Sequence, residues 1–324
     1  MNLIRGLSFF GLCFAFVVIA LGAWTRLVDA GLGCPDWPGC YGFVVFPTTE
    51  AEIQLAESRY PQFPYEIDKA IPEVVHRYFA AALGFLAILL VYFAFKYQLP
   101  KRIKAITSFL LFFICCQGLF GYLTVSLKLL PIIVTTHLFG GFTTLLLLYF
   151  LYLKSRNFKI FNQINISNLK FIASIAFVVL LLQIFLGVWT STNYASLACA
   201  DFPTCGGSYF PEMDFKNGFN LNQEVGPNYL YGLLDNPARV AIHYSHRVTA
   251  ILVTLIFLIL MSRLWFSDAA PLASTLGILL LTQITLGIIN VVYVLPLYVA
   301  IAHNLVAACL LLATFTINYL AWKK

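Results

Sequence analysis

Eight stretches of this chain are apolar over about 20 residues each, the length a helix needs to cross a bilayer. No other feature narrows the fold as far. Lipid offers backbone N–H and C=O groups no partner, so a spanning chain must form helices or a closed barrel. The runs lie at about 5–24, 73–95, 104–126, 131–153, 169–191, 239–262, 271–293 and 297–320. They predict an all-α polytopic membrane protein. Composition agrees: 60% of residues are hydrophobic and 10% charged, against about 25% charged in a soluble domain. The first run follows Arg5 and so resembles a signal peptide. It is too long for one, lacks a small-x-small cleavage site and has a counterpart later in the chain, so it reads as a helix.

Charge predicts orientation. Of the 14 acidic residues, 12 fall in two loops, 25–72 and 192–238. The other connections carry Lys96, Lys101, Arg102 and Lys104, then Lys154, Arg156, Lys159 and Lys170, then Lys323 and Lys324. The positive-inside rule places these on the cytoplasmic side of a cytoplasmic (inner) membrane, with both termini inside and both acidic loops outside. The net charge of +6 comes from these inner connections and gives no reason to expect a nucleic-acid partner.

Each outer loop holds a cysteine pair with the same spacing and the same Asp-aromatic-Pro centre: "CPDWPGC" (34–40) and "CADFPTC" (199–205). On the oxidising side, Cys34 with Cys40 and Cys199 with Cys205 read as disulfides; zinc-bound or free thiols are the alternatives. Cys13, Cys115, Cys116 and Cys309 lie inside spans and read as packing residues. The loops are part of a wider duplication. "GAWTRL" (22–27) matches "GVWTST" (187–192), "VVHRYFAA" (74–81) matches "YSHRVTAI" (244–251), "QGLFGYL" (117–123) matches "QITLGII" (283–289), and His137 matches His303. The expected organisation is two four-helix units, 1–155 and 165–324. With an even number of spans per unit, the two are parallel in the membrane.

Four of the five histidines pair across the repeat: His76 with His246 and His137 with His303. Each lies near the start of an even-numbered span, so all four fall at similar depth below the outer face. Ionisable groups inside a span are costly and point to function, although a single membrane histidine commonly serves as a helix–helix hydrogen bonder. Two imidazoles from the second and fourth helices of one bundle are an axial pair for haem iron. Zinc would want four close ligands instead. Arg77 and Arg247 follow the second-helix histidines, as bidentate partners for haem propionates or as snorkelling interfacial side chains. Glu73 follows Pro72 and so reads as a first-turn carboxylate, favoured by the helix dipole and paired with Arg77 at i+4. Its other reading is a proton acceptor or donor close to a haem ligand. The second unit has His243 at the matching position, so the two sites differ chemically.

Together, "TRLVDAGLGCPDWPGCYG", the E-x-x-H-R stretch Glu73–Arg77, His137, "HYSHRVTA" and His303 resemble the haem A synthase family over nearly the whole chain. The resemblance implies an eight-helix oxidoreductase of two repeated halves that oxidises the C8 methyl of haem O to a formyl group, giving haem A for terminal oxidases. It implies a cofactor haem b ligated by His246 and His303, and substrate haem O held by His76 and His137, with Arg77 beside them and Glu73 as the essential acid. Arg247 is the propionate candidate beside haem b. The first cysteine pair resembles the family's outer disulfide, and the second fits its cysteine-rich type. His243 has no ligand role in this pattern. Implied partners are haem O synthase (protohaem farnesyltransferase) and oxidase assembly factors; a homo-oligomer is left open. Trp37 or Phe202 would shield the macrocycle beneath each loop, and a redox role for the first pair is the further alternative.

The rival reading is a transmembrane dihaem b-type electron carrier, which shares the bis-histidine sites. Carrying electrons across a bilayer wants haems at different depths, whereas here all four ligands start from one face. A non-enzymatic haem carrier is the third reading, and it has no use for Glu73.

Overall fold

The computed structural model describes residues 1–155, 165–267 and 269–323. Arg156, Lys159 and Lys324, which entered the charge argument, lie outside the described residues. Among the described residues, eight helices are long and apolar enough to cross a membrane. These are α1 (Asn2–Leu27), α3 (Ile67–Lys96), α4 (Lys101–Ser126), α5 (Pro131–Ser155), α6 (Lys170–Thr192), α8 (Asn236–Trp265), α9 (Ala270–Val292) and α10 (Leu297–Trp322). Two short helices, α2 (Glu50–Arg59) and α7 (Phe215–Gly218), lie in the long loops. At about 1.5 Å per residue the spans are roughly 35–45 Å long, enough for the hydrocarbon core with some tilt.

The chain forms two compact units. One contains α1 to α5, the other α6 to α10. Asn222–Gly232, from the loop before α8, groups with the first unit. There Tyr229 is buried and its N–H donates to the Lys128 carbonyl at 3.0 Å. The spans of each unit form a ring. In the first, α1 and α4 each pack on both α3 and α5; in the second, α6 and α9 each pack on both α8 and α10. The histidine-bearing helices therefore face each other across a diagonal.

The half of each bundle away from the long loops is filled by apolar side chains. On α3 the buried positions Leu83, Leu86, Ala87, Leu90 and Ala94 recur at helical spacing and form one stripe. Leu145, Leu148 and Leu151 answer from α5. Gly11 of α1 lets the chain approach closely, since a Cβ there would stand 2.8 Å from Leu86 and 3.1 Å from Leu148. Without water to expel, this packing is what holds membrane helices together. Phe257, Leu260, Leu310 and Leu311 do the same in the second unit. The loop half of each bundle is left to the histidines.

Two boundaries differ from expectation. Helix α3 begins at Ile67, so Pro72 lies inside it and Glu73 is past the first turn. The first-turn dipole reading of Glu73 therefore falls. Proline lacks the N–H that would bond four residues back; the following backbone is tied down instead by Thr25, whose hydroxyl donates to the Pro72 carbonyl at 3.0 Å. Helix α2 has a sequence signal that the span reading passed over. Thr49 and Glu52 form a reciprocal capping box, the T-x-x-E pattern of a helix start.

Candidate functional site

The two cysteine loops fold alike. Cys34 is bonded to Cys40 at an S–S distance of 2.06 Å, and Cys199 to Cys205 at 2.01 Å. The aspartate in each loop explains the shared "D-aromatic-P" centre, because its carboxylate accepts the two N–H groups that follow the second cysteine. Asp36 takes Tyr41 at 2.6 Å and Gly42 at 2.8 Å. Asp201 takes Gly206 at 2.6 Å and Gly207 at 2.9 Å, and adds the Thr204 hydroxyl. The Thr204 hydroxyl first, then the Gly207 and Gly206 N–H groups, hold the Asp201 carboxyl down at about 2. Its ordinary value is higher, so these contacts are in place above that value and are lost as pH falls through about 2. Burial first, then the Glu66 charge, pushes the Tyr41 phenol up to about 12, and its hydroxyl donates to the Pro64 carbonyl at 3.0 Å.

Each loop is fastened to the helix beneath it by the residues flagged beside the histidines. Glu73 is buried; its Oε2 accepts the Cys34 N–H at 3.0 Å while Oε1 pairs with Arg77. Arg77 also donates to the carbonyls of Asp36 at 3.0 Å and Gly39 at 2.6 Å. In the second unit Arg247 donates to the carbonyls of Thr204 and Cys199, both at 2.8 Å, and to His243 Nε2 at 3.1 Å. A neutral imidazole accepts at only one nitrogen, and the shorter, charge-assisted contact fixes which. His243 Nδ1 then carries the proton and cannot accept the Cys199 N–H 3.4 Å away. A carboxylate can take both donors at once. The Glu73-to-His243 exchange therefore makes the first latch tight and the second partial, and it assigns His243 a structural place that the sequence did not reveal. Both arginines, read from the sequence as propionate partners or snorkelling side chains, send donors to the loop carbonyls and to the residue one turn back on their own helix.

Below the latches lie the four paired histidines. His76 (α3) and His137 (α5) meet across the first bundle with ring centroids 6.4 Å apart and planes at 85°. Two imidazoles bound to one metal from opposite sides would have centres about 6.3 Å apart, for metal–nitrogen bonds of about 2.0 Å. Nδ1 of all four rings, His76, His137, His246 and His303, is buried with no hydrogen-bond partner. Each of the four residues is partly exposed. In the second bundle the Gln283 amide lies 3.1 Å from His303 Nε2, and the Gln183 amide donates to the His246 carbonyl at 3.1 Å. Among the described residues no three or more of His, Cys, Asp and Glu gather as a metal site. Two imidazoles suffice for a metal that brings four further ligands in a macrocycle, so the residues present fit haem. Trp37 packs against Tyr122 at 5.8 Å, and Phe202 lies under the Arg247 guanidinium at 5.8 Å; each is about half exposed.

Among the described residues, eight apolar helices in two units, each carrying two repeat-related histidines below a disulfide loop, define a multi-pass membrane protein with residues suited to a metal macrocycle. The chain belongs to the cytochrome oxidase assembly protein family, whose profile matches residues 5–315. A heme A synthase of Shewanella oneidensis is 43% identical to it over 315 residues, covering 97% of this chain and 95% of that protein. The heme A synthases of Rickettsia felis and Rickettsia prowazekii are 28% and 27% identical, each over 96% of this chain.

Proposed function

We propose that this protein oxidises the C8 methyl of haem O to a formyl group, yielding haem A for terminal oxidase assembly. The observation that carries the reading is the His76–His137 pair, spaced for one iron, in a chain 43% identical to a heme A synthase along nearly its whole length. His76 and His137 hold the substrate haem in the 1–155 unit, and His246 and His303 ligate a resident haem b in the 165–324 unit. When bound, haem b supplies one-electron transfer. The protein's own contribution is placement and proton handling. The diagonal helices set the iron-ligand distance, and the apolar half of each bundle keeps water from the macrocycle.

Glu73, three residues before His76 on the same face of α3, takes and returns protons as the methyl group is oxidised. Arg77 holds that carboxylate and the loop in one arrangement, and Arg247 does so for the second loop with reach toward a propionate. The positive connections place both termini on the cytoplasmic side of the inner membrane and both cysteine loops outside. Haem O synthase is then the expected source of substrate, and oxidase assembly factors the expected recipients.

Extraction and identification of the porphyrins from purified protein tests the reading. Haem B together with haem O or haem A is expected. Haem B alone at both sites would overturn it in favour of the dihaem electron carrier.

The disulfides allow a comparison within one molecule. Cys34→Ser with Cys40→Ser is expected to lower haem A yield more than Cys199→Ser with Cys205→Ser, because the first loop closes over the substrate unit and is tied to Glu73. Equal losses, read by haem A content of membranes, would count against placing substrate in the first unit.

A further inference from the structure

The glycines nearest the four histidines, which the repeat pairs as Gly22 with Gly187 and Gly121 with Gly287, share one arrangement. A Cβ built on Gly22 of α1 would stand 2.9 Å from His76 Cε1, and its three nearest atoms all belong to that ring. On Gly187 of α6 it would stand 3.0 Å from His246 Cε1, again with three ring atoms nearest. On Gly287 of α9 the distance is 3.2 Å to His303 Cε1, and on Gly121 of α4 it is 3.5 Å to His137 Cε1. Each ring also interacts with a backbone carbonyl of the same facing helix: Val18, Gln117, Gln183 and Gln283 respectively for His76, His137, His246 and His303. In every case that residue stands four before the glycine. Three of the four read Q-x-x-x-G in the sequence: "QGLFG", "QIFLG" and "QITLG".

We infer that Gly22, Gly187 and Gly287 are positioning residues for the iron-ligating histidines, each opening a slot one ring deep in the facing helix. The inference rests on the haem reading above. Glycine is a poor choice within a helix unless a side chain would be in the way. Small residues in membrane helices usually admit a neighbouring helix, but here the space admits an imidazole. A backbone carbonyl beside the ring is the usual outer-shell partner of a ligating histidine. A free ring can swing away from an added methyl group, whereas a ring bound to iron cannot. The cost of Gly→Ala therefore falls on haem binding and leaves folding intact.

The test uses the full-length protein with Gly187→Ala, Gly287→Ala, Gly22→Ala and Gly121→Ala. Gly118→Ala and Gly141→Ala serve as controls, since nothing lies within 4 Å of a Cβ at either. Haem b per protein and the low-spin electron paramagnetic resonance signal, which reports the relative orientation of two axial imidazoles, are read for the second unit. Retained haem O is read for the first. Gly187→Ala is expected to lose haem b several-fold or shift the low-spin signal, Gly287→Ala less so, and both controls should match wild type. Gly22→Ala should cost more haem O than Gly121→Ala. Wild-type haem content and signal in Gly187→Ala, alongside loss of haem b in His246→Ala, would overturn this inference alone. Retention of haem b in His246→Ala would overturn the haem reading itself. Failure to recover the glycine variants as folded helical protein would also overturn the inference, because it assigns the cost to the ring.

Discussion

His246→Ala and His303→Ala are each expected to abolish the low-spin haem b spectrum and to strip most haem b from the purified protein. Each removes one of the two imidazoles proposed as iron ligands, one on α8 and one on α10. The remaining ligands would come from the macrocycle, so half of the protein's hold on iron goes with either side chain. Changes in the outer shell of a metal site already cost about 10–100-fold in affinity, and loss of a direct ligand should exceed that. The bundle itself should survive. The apolar half, with Phe257, Leu260, Leu310 and Leu311 buried, lies further along the helices and keeps its packing. His243→Ala is the matched control. His243 stands one turn away and is tied to Arg247 at 3.1 Å, so its loss should loosen the second loop while low-spin haem b stays bound. The check is haem content and the reduced-minus-oxidised spectrum of each purified variant. An unchanged spectrum in either His246→Ala or His303→Ala removes that residue from the ligand set.

Glu73→Gln should fold, bind haem b and retain haem O, yet lose at least about a hundredfold in haem A formation, the lower end of what general acid–base groups contribute. The amide keeps size and one acceptor oxygen for the Cys34 N–H at 3.0 Å. It removes titration and the charge that Arg77 pairs with. Because the carboxylate also fastens the loop, a single variant confounds chemistry with latching. Glu73→His separates the two by rebuilding the latch in the form the second unit uses, where His243 meets Arg247. That variant should hold its loop, judged by resistance of Cys34–Cys40 to reductant, and still make little haem A. Near wild-type haem A formation by Glu73→Gln would show that Glu73 serves the loop and that the catalytic assignment is wrong.

What the sequence determined by itself is what one-dimensional spacing can encode. Span number follows from apolar length, since nothing shorter satisfies a backbone in lipid. All eight predicted runs correspond to helices that are long and apolar enough. The pairing of His76 with His246 and His137 with His303 is visible because a duplication keeps residues in register. The like folding of the two cysteine loops is local for the same reason, with each aspartate reaching amides five or six residues away. Only the tertiary structure decided what depends on a partner far along the chain. Pro72 looked like a helix start, yet α3 runs through it, with its carbonyl bonded by Thr25 from α1. Arg77 and Arg247 read as propionate partners or snorkelling side chains, with Arg77 also paired to Glu73; only the fold shows their donors reaching loop carbonyls about forty residues upstream. The glycines of α1, α6 and α9 carried no legible meaning until the facing rings were in place. A glycine's role is the space it leaves, and which side chain enters that space is decided by helix packing.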